Sequence, residues 1–133
     1  MPKRAVIAID VGGTKTLCAL ISDKYNTIEE NKFRTAPEDG RKKFVERLVG
    51  SVKALERTAR RERYRLVGAG VAWAGRVNED TCESESSPNI VCLEDLNIGQ
   101  LLKKTLRLKT TVGNDVQLAL YGEHQLGAAR DWL

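Results

Sequence analysis

Five apolar residues, Ala5 to Ile9, run without a break into a carboxylate, Asp10. The chain then passes through Val11-Gly12-Gly13-Thr14-Lys15 before turning apolar again from Thr16 to Ile21. A β-branched apolar run of this length reads as a strand buried on both faces. With glycines at its end and a second apolar run close behind, the chain folds back as a hairpin. The tip of that hairpin is suited to phosphate. Gly12 and Gly13 lack a Cβ, so their backbone can take positive φ and bring N–H groups within hydrogen-bond reach of a bulky anion. Thr14 adds a hydroxyl, Lys15 a positive charge, and Asp10 an oxygen ligand suited to hydrated Mg2+.

The same residues also satisfy a plainer reading, in which Gly-Gly-Thr is only a hairpin turn, Asp10 caps it and Lys15 sits in solvent. The segment is neither a Walker A loop, which needs Gly-x-x-x-x-Gly-Lys-Ser/Thr, nor a dinucleotide fingerprint, which needs Gly-x-Gly-x-x-Gly opening a helix. A hairpin stands where those motifs place a helix.

Further along, residues 26–35 alternate loosely and read as a third strand at a sheet edge, broken by Pro37 to Gly40. From Arg41 to about Arg63, Phe44, Leu48, Val52, Leu55 and Ala59 recur at three- and four-residue intervals. Val45 and Val49 widen the stripe, and the opposite face is Lys, Arg and Glu. This is a long amphipathic helix covering the sheet. Leu66 to Trp73 is a second buried strand. Residues 76–97 hold six acidic residues and no Lys or Arg after Arg76, and read as a long irregular loop of the kind that carries function or is disordered. Ile98 to Leu106 forms a short helix, Thr110 to Gly113 a short strand, and about Val116 through Ala129 a final slim helix.

The order is three strands, helix, strand, short helix, strand, helix. It predicts an α/β domain with a mixed five-stranded sheet, three antiparallel strands plus two parallel, and helices on both faces. At 133 residues the chain is a single domain, 1–133, able to bury about two thirds of its unfolded surface without metals or disulfides. Cys18, Cys82 and Cys92 form no Cys-x-x-Cys pair, so neither a disulfide framework nor a zinc site is expected, and Cys18 reads as a small buried hydrophobe. The lone His124 reads as an exposed helix residue. No apolar stretch approaches the roughly 20 residues of a membrane span, and no signal peptide is visible. The chain therefore reads as cytoplasmic, with no membrane partner. The net charge of +4 hides an asymmetry, because residues 41–65 carry ten Lys or Arg against three Glu. That face reads as solvated, and no helix-turn-helix precedes the first strand, so no nucleic-acid partner is expected.

Three strands end in polar or glycine-rich tips: Asp10 to Thr14, Ala74 to Asn78, and Asn114-Asp115. If those strands run parallel, the tips share one sheet edge, where open α/β sheets place ligands. Asp115, at a strand-to-helix junction, can act as a general base, although an Asp before a helix is by default its N-cap.

Ile-Asp-Val-Gly-Gly-Thr-Lys-Thr resembles the first phosphate motif of the actin-like ATPase and sugar kinase superfamily, and most closely that of the ROK family of sugar kinases and sugar-responsive repressors. Three further segments resemble that family in order: Gly70 to Asn78, Ser-Pro-Asn-Ile around Asn89, and Gly113-Asn114-Asp115 followed by an Ala-rich helix. The family pattern has Pro-Gly where this chain has Ala74-Gly75, after Trp73, and Asp where it has Asn78. The resemblance implies a ribonuclease-H-like fold and ATP-dependent phosphorylation of a hexose hydroxyl, glucokinase-like. It makes Asp115 the base, Asn89, Asn114 and Gly75 the sugar contacts, and Asp10, Gly12, Gly13, Thr14 and Lys15 the phosphate and Mg2+ contacts. It also implies a nucleotide-binding second lobe that these 133 residues do not contain. The lobe alone is then expected to be inactive or weakly active, needing that second lobe, a partner chain or self-association. A non-catalytic sugar-binding or assembly module, and an activator-type ATPase domain of the same superfamily, are the other readings.

Overall fold

The computed structural model describes residues 3–73, 76–78, 83–86 and 98–113. The first apolar run becomes strand β1 (Lys3–Val11), the second β2 (Lys15–Ser22), and the alternating segment β3 (Thr27–Arg34). Helix α1 spans Arg41–Arg61 and feeds β4 (Tyr64–Trp73). Two short strands follow, β5 (Arg76–Asn78) and β6 (Glu83–Ser86), then helix α2 (Ile98–Leu106) and β7 (Thr110–Gly113).

The main sheet is mixed, in the order β3-β2-β1-β4-β7. β1 pairs antiparallel with β2, and β2 with β3, whereas β1 and β7 both run parallel to β4. The chain reaches β4 through α1 and β7 through α2, the helical crossovers that parallel pairing requires. β3 lies at one edge and carries alternating Glu, Asn, Lys and Arg, a composition that discourages pairing with another chain.

One core dominates. Ala5, Ile7, Ile9 and Val11 of β1, Cys18 and Leu20 of β2, and Ala69 and Val71 of β4 form the sheet side. Phe44, Leu48, Val52, Leu55 and Ala59 of α1 lie against them with Ile98, Leu102 and Leu106 of α2. The periodic stripe read from the sequence is the buried face of α1. Each Leu or Phe taken fully out of water contributes on the order of 1.5–3 kcal/mol. Phe33 of β3 meets Phe44 with ring centroids 6.0 Å apart, tying the edge strand to the helix.

Two expectations change. Both described helices pack on the same face of the sheet, because the residues they bury fall into one cluster. The opposite face presents Val6, with Ile21 and Val67 beside it. The final helix expected over residues 116–129 lies outside the described residues, so the expectation of helices on both faces is left with α1 and α2 on one. Secondly, the segment read as an irregular loop holds a small antiparallel pair, β5 with β6, in which Val77 faces Ser84 and Asn78 faces Glu83. Strands this short and polar carry no apolar alternation, so the sequence gives no sign of them.

Candidate active site

β1, β4 and β7 end at one edge. Asp10 of β1 registers with Ala72 of β4, which in turn registers with Gly113 of β7. At that edge β1 turns into β2 through Gly12, Gly13 and Thr14. The turn is tight: the Gly12 N–H donates to the Lys15 carbonyl at 3.0 Å.

The positive φ open to a residue without a Cβ is used by neither Gly13 nor Gly12. Its glycine is required by close approach instead, since a Cβ there would sit 2.9 Å from the Lys15 carbonyl oxygen. Two carbonyls of the turn point back into the protein, that of Thr14 accepting the Thr35 N–H at 2.9 Å and that of Gly12 accepting the Thr35 hydroxyl at 2.7 Å. Among the described residues nothing accepts the N–H groups of Gly13 or Thr14. A loop that turns its carbonyls inward and keeps free N–H groups is built to meet an anion.

The surroundings suit that role. Thr14 and Lys15 are exposed, and Gly12 and Gly13 are half-buried. Lys15 stands directly opposite Arg34 across the β2–β3 pair, so two cations flank the tip. Arg34 is only loosely held by Glu38, at 3.4 Å and with both side chains largely exposed, a geometry worth little in water. Asp10 is exposed, on the sheet face opposite α1, and makes no ion pair among the described residues. A carboxylate left free beside a phosphate loop fits Mg2+, which favours one or two carboxylates together with phosphate oxygens and water. No group of three or more His, Cys, Asp or Glu stands ready to hold a metal among the described residues.

Of the residues singled out in the sequence, the structure therefore brings together Asp10, Gly12, Gly13, Thr14 and Lys15. Gly75, Asn89, Asn114 and Asp115 lie outside the described residues, although Gly113, the residue before Asn114, sits in the row with Asp10. The sequence reading missed Thr16 and Thr35, both fully buried, whose hydroxyls lie 2.9 Å apart beneath the turn. One signal was available. Thr16 shares the inward face of β2 with Cys18 and Leu20, and a hydroxyl on such a face needs a partner.

The sequence model of the ROK family matches residues 6–132. The chain belongs to the ROK family. A bifunctional NanE/NanK enzyme of Brucella melitensis is 32% identical over 129 residues, covering 97% of this chain and 23% of that protein. A glucokinase of Streptomyces coelicolor is 25% identical over 126 residues, covering 93% of this chain and 37% of the relative. The fold matches that of a ROK family glucokinase from Streptomyces griseus, solved with glucose and AMPPNP, at a TM-score of 0.70 and 22% identity, over 92% of this chain and 37% of that one. The chain thus spans less than two fifths of each of these three proteins, and its fold is that of the ROK sugar kinases. No described helix is long and apolar enough to cross a membrane.

Proposed function

We propose that this ROK family chain is the first lobe of an ATP-dependent sugar kinase with a ribonuclease-H-like fold, which phosphorylates a hexose hydroxyl at the edge where β1, β4 and β7 end. The observation that carries the reading is the register of Asp10, Ala72 and Gly113 beside a turn whose Gly13 and Thr14 N–H groups are left for an anion. Backbone N–H groups and a flanking cation stabilise charge on a moving phosphoryl group without reorganising during the transfer.

In this reading Gly12, Gly13 and Thr14 hold the transferred phosphate, and Lys15 adds positive charge at the rim. Asp10 holds Mg2+, which when bound neutralises charge on the phosphate oxygens. Asn89, Asn114 and the backbone at Gly75 hold the sugar. Asp115 accepts the proton of the attacking hydroxyl as its oxygen bonds to the γ-phosphorus and ADP departs. The opposite wall of the cleft belongs to a second lobe, in further chain or a partner, as the share of each relative covered suggests. ATP is a cytoplasmic substrate, and the cytoplasm is where this lobe would work. Without that wall the 133 residues turn over far below the 1–100 per second order of magnitude of complete kinases.

Isothermal titration with glucose, N-acetylglucosamine and N-acetylmannosamine tests the sugar half of the site. Saturable binding of one sugar, lost in Asp115→Ala and Asn114→Ala, is the expected result. Binding that survives both substitutions would overturn the assignment of those residues.

A further inference from the structure

The turn between β1 and β2 is held from below by a residue 19 positions beyond Thr16, and the arrangement has a direction. The Gly12 carbonyl can only accept, so at 2.7 Å it fixes the Thr35 hydroxyl as its donor. With its proton committed, the Thr35 oxygen is the acceptor for the Thr16 hydroxyl 2.9 Å away. The chain therefore runs from Thr16 O–H to Thr35 O–H to Gly12 C=O, while the Thr35 N–H separately holds the Thr14 carbonyl at 2.9 Å. All three bonds close on the loop, and both hydroxyls are sealed from water.

The backbone around Thr35 is itself under constraint. Ala36, which follows it directly, takes the left-handed conformation at φ 45° although it carries a Cβ, and its carbonyl accepts the Asp39 N–H at 3.0 Å. An L-residue other than glycine is held there only where its surroundings over-determine it. The bend at Ala36 turns the chain away from β3 toward α1 immediately after Thr35, and so leaves Thr35 beneath the loop.

We infer that Thr35, supported by Thr16, is the positioning residue that turns the Gly12 and Thr14 carbonyls inward and so, across the planar Gly12–Gly13 peptide, presents the Gly13 N–H to a phosphate. The role deepens the proposed function and rests on its phosphate reading of the loop. Thr35 touches no substrate. It acts by fixing which way the peptide planes of the loop face.

The test compares wild type, Thr35→Val and Thr35→Ser by amide NMR, reading hydrogen exchange at Gly12 and the binding of magnesium ATP at Gly13 and Thr14. Valine keeps the shape and removes the hydroxyl, leaving the Gly12 carbonyl without its donor. Thr35→Val is expected to speed Gly12 exchange and weaken magnesium ATP binding each by about tenfold, with exchange at Ile7 and Leu20 unchanged, and Thr35→Ser to restore both. Wild-type exchange and affinity in a folded Thr35→Val chain would overturn the inference, as would failure of Thr35→Ser to restore either. If the wild-type chain bound neither magnesium ATP nor inorganic phosphate at the loop, the phosphate reading would fall, and Gly12 exchange would still decide whether Thr35 positions the loop.

Discussion

Asp10 and Gly113 lie in one row across the sheet, joined through Ala72, although 102 positions of sequence separate Asp10 from the residue before Gly113. The row exists because β1, β4 and β7 are parallel neighbours and reach the same edge. It brings the carboxylate after the first apolar run and the point where the chain enters Asn114-Asp115 to one side of the protein. Neither segment could be placed beside the other from local pattern.

Asp10→Asn should separate metal binding from folding. The carboxylate is exposed and makes no ion pair among the described residues, so its loss should move stability by no more than about 0.5 kcal/mol. Affinity for magnesium ATP should fall by about tenfold or more, with ATP binding in excess chelator unchanged. Titration calorimetry with and without Mg2+ reads the difference. An equal loss in both conditions would remove Asp10 from the metal role.

Two glycines should respond to alanine in opposite directions. At Gly12 the new Cβ would lie 2.9 Å from the Lys15 carbonyl, a backbone atom that cannot move without opening the turn. Gly12→Ala should cost roughly 1–3 kcal/mol. Gly50 lies within α1, is exposed, and would place its Cβ in open space. Gly50→Ala should add about 0.5–1 kcal/mol, because alanine loses less entropy on entering a helix. Urea denaturation of the two variants gives both signs.

The α1 stripe was legible because Phe44, Leu48, Val52, Leu55 and Ala59 repeat with the helical period, and that period is a property of neighbouring residues. Which face of the sheet α1 and α2 would share was not legible, since a buried stripe does not name its partner. The phosphate turn could be read from its glycines. Its support could not, since Thr35 acts on Gly12 and Thr14 across more than 20 residues, and Arg-Thr-Ala-Pro carries no periodic signal. That Gly12 is needed for close approach rather than for a positive φ was hidden for a related reason, because the oxygen it approaches belongs to another strand.

The end of α1 offers a stabilising change. Arg63 sits just past the helix at φ 63°, with its N–H donating to the Arg60 carbonyl at 3.2 Å, and its side chain is exposed. That left-handed position is where glycine commonly closes a helix. Arg63→Gly relieves the Cβ clash while adding freedom to the unfolded chain, and the balance should raise stability by roughly 0.5 kcal/mol. A thermal midpoint that falls would mean that the arginine stem contributes more packing than its exposure suggests.

Cys18 sets the behaviour of the protein in alkali. Its side chain is wholly buried in the main core, and burial pushes the thiol from 9.0 up to about 11, while the neighbouring Ser51 hydroxyl pulls more weakly the other way. In the unfolded chain the thiol ionises near its ordinary value of 9.0, so well below that pH both states keep the proton and stability is unaffected. Between about pH 9 and 11 the unfolded state loses the proton and the folded state keeps it, so stability falls as pH rises, by an amount on the order of 2–3 kcal/mol across the window. Cys18→Ala provides the control for whatever else changes in alkali. Denaturation midpoints of wild type and Cys18→Ala should run parallel from pH 7 to about 8.5 and diverge above it, the wild type falling faster. Parallel curves up to pH 11 would show that the folded protein accommodates the thiolate, which a side chain sealed between β2 and α1 should not.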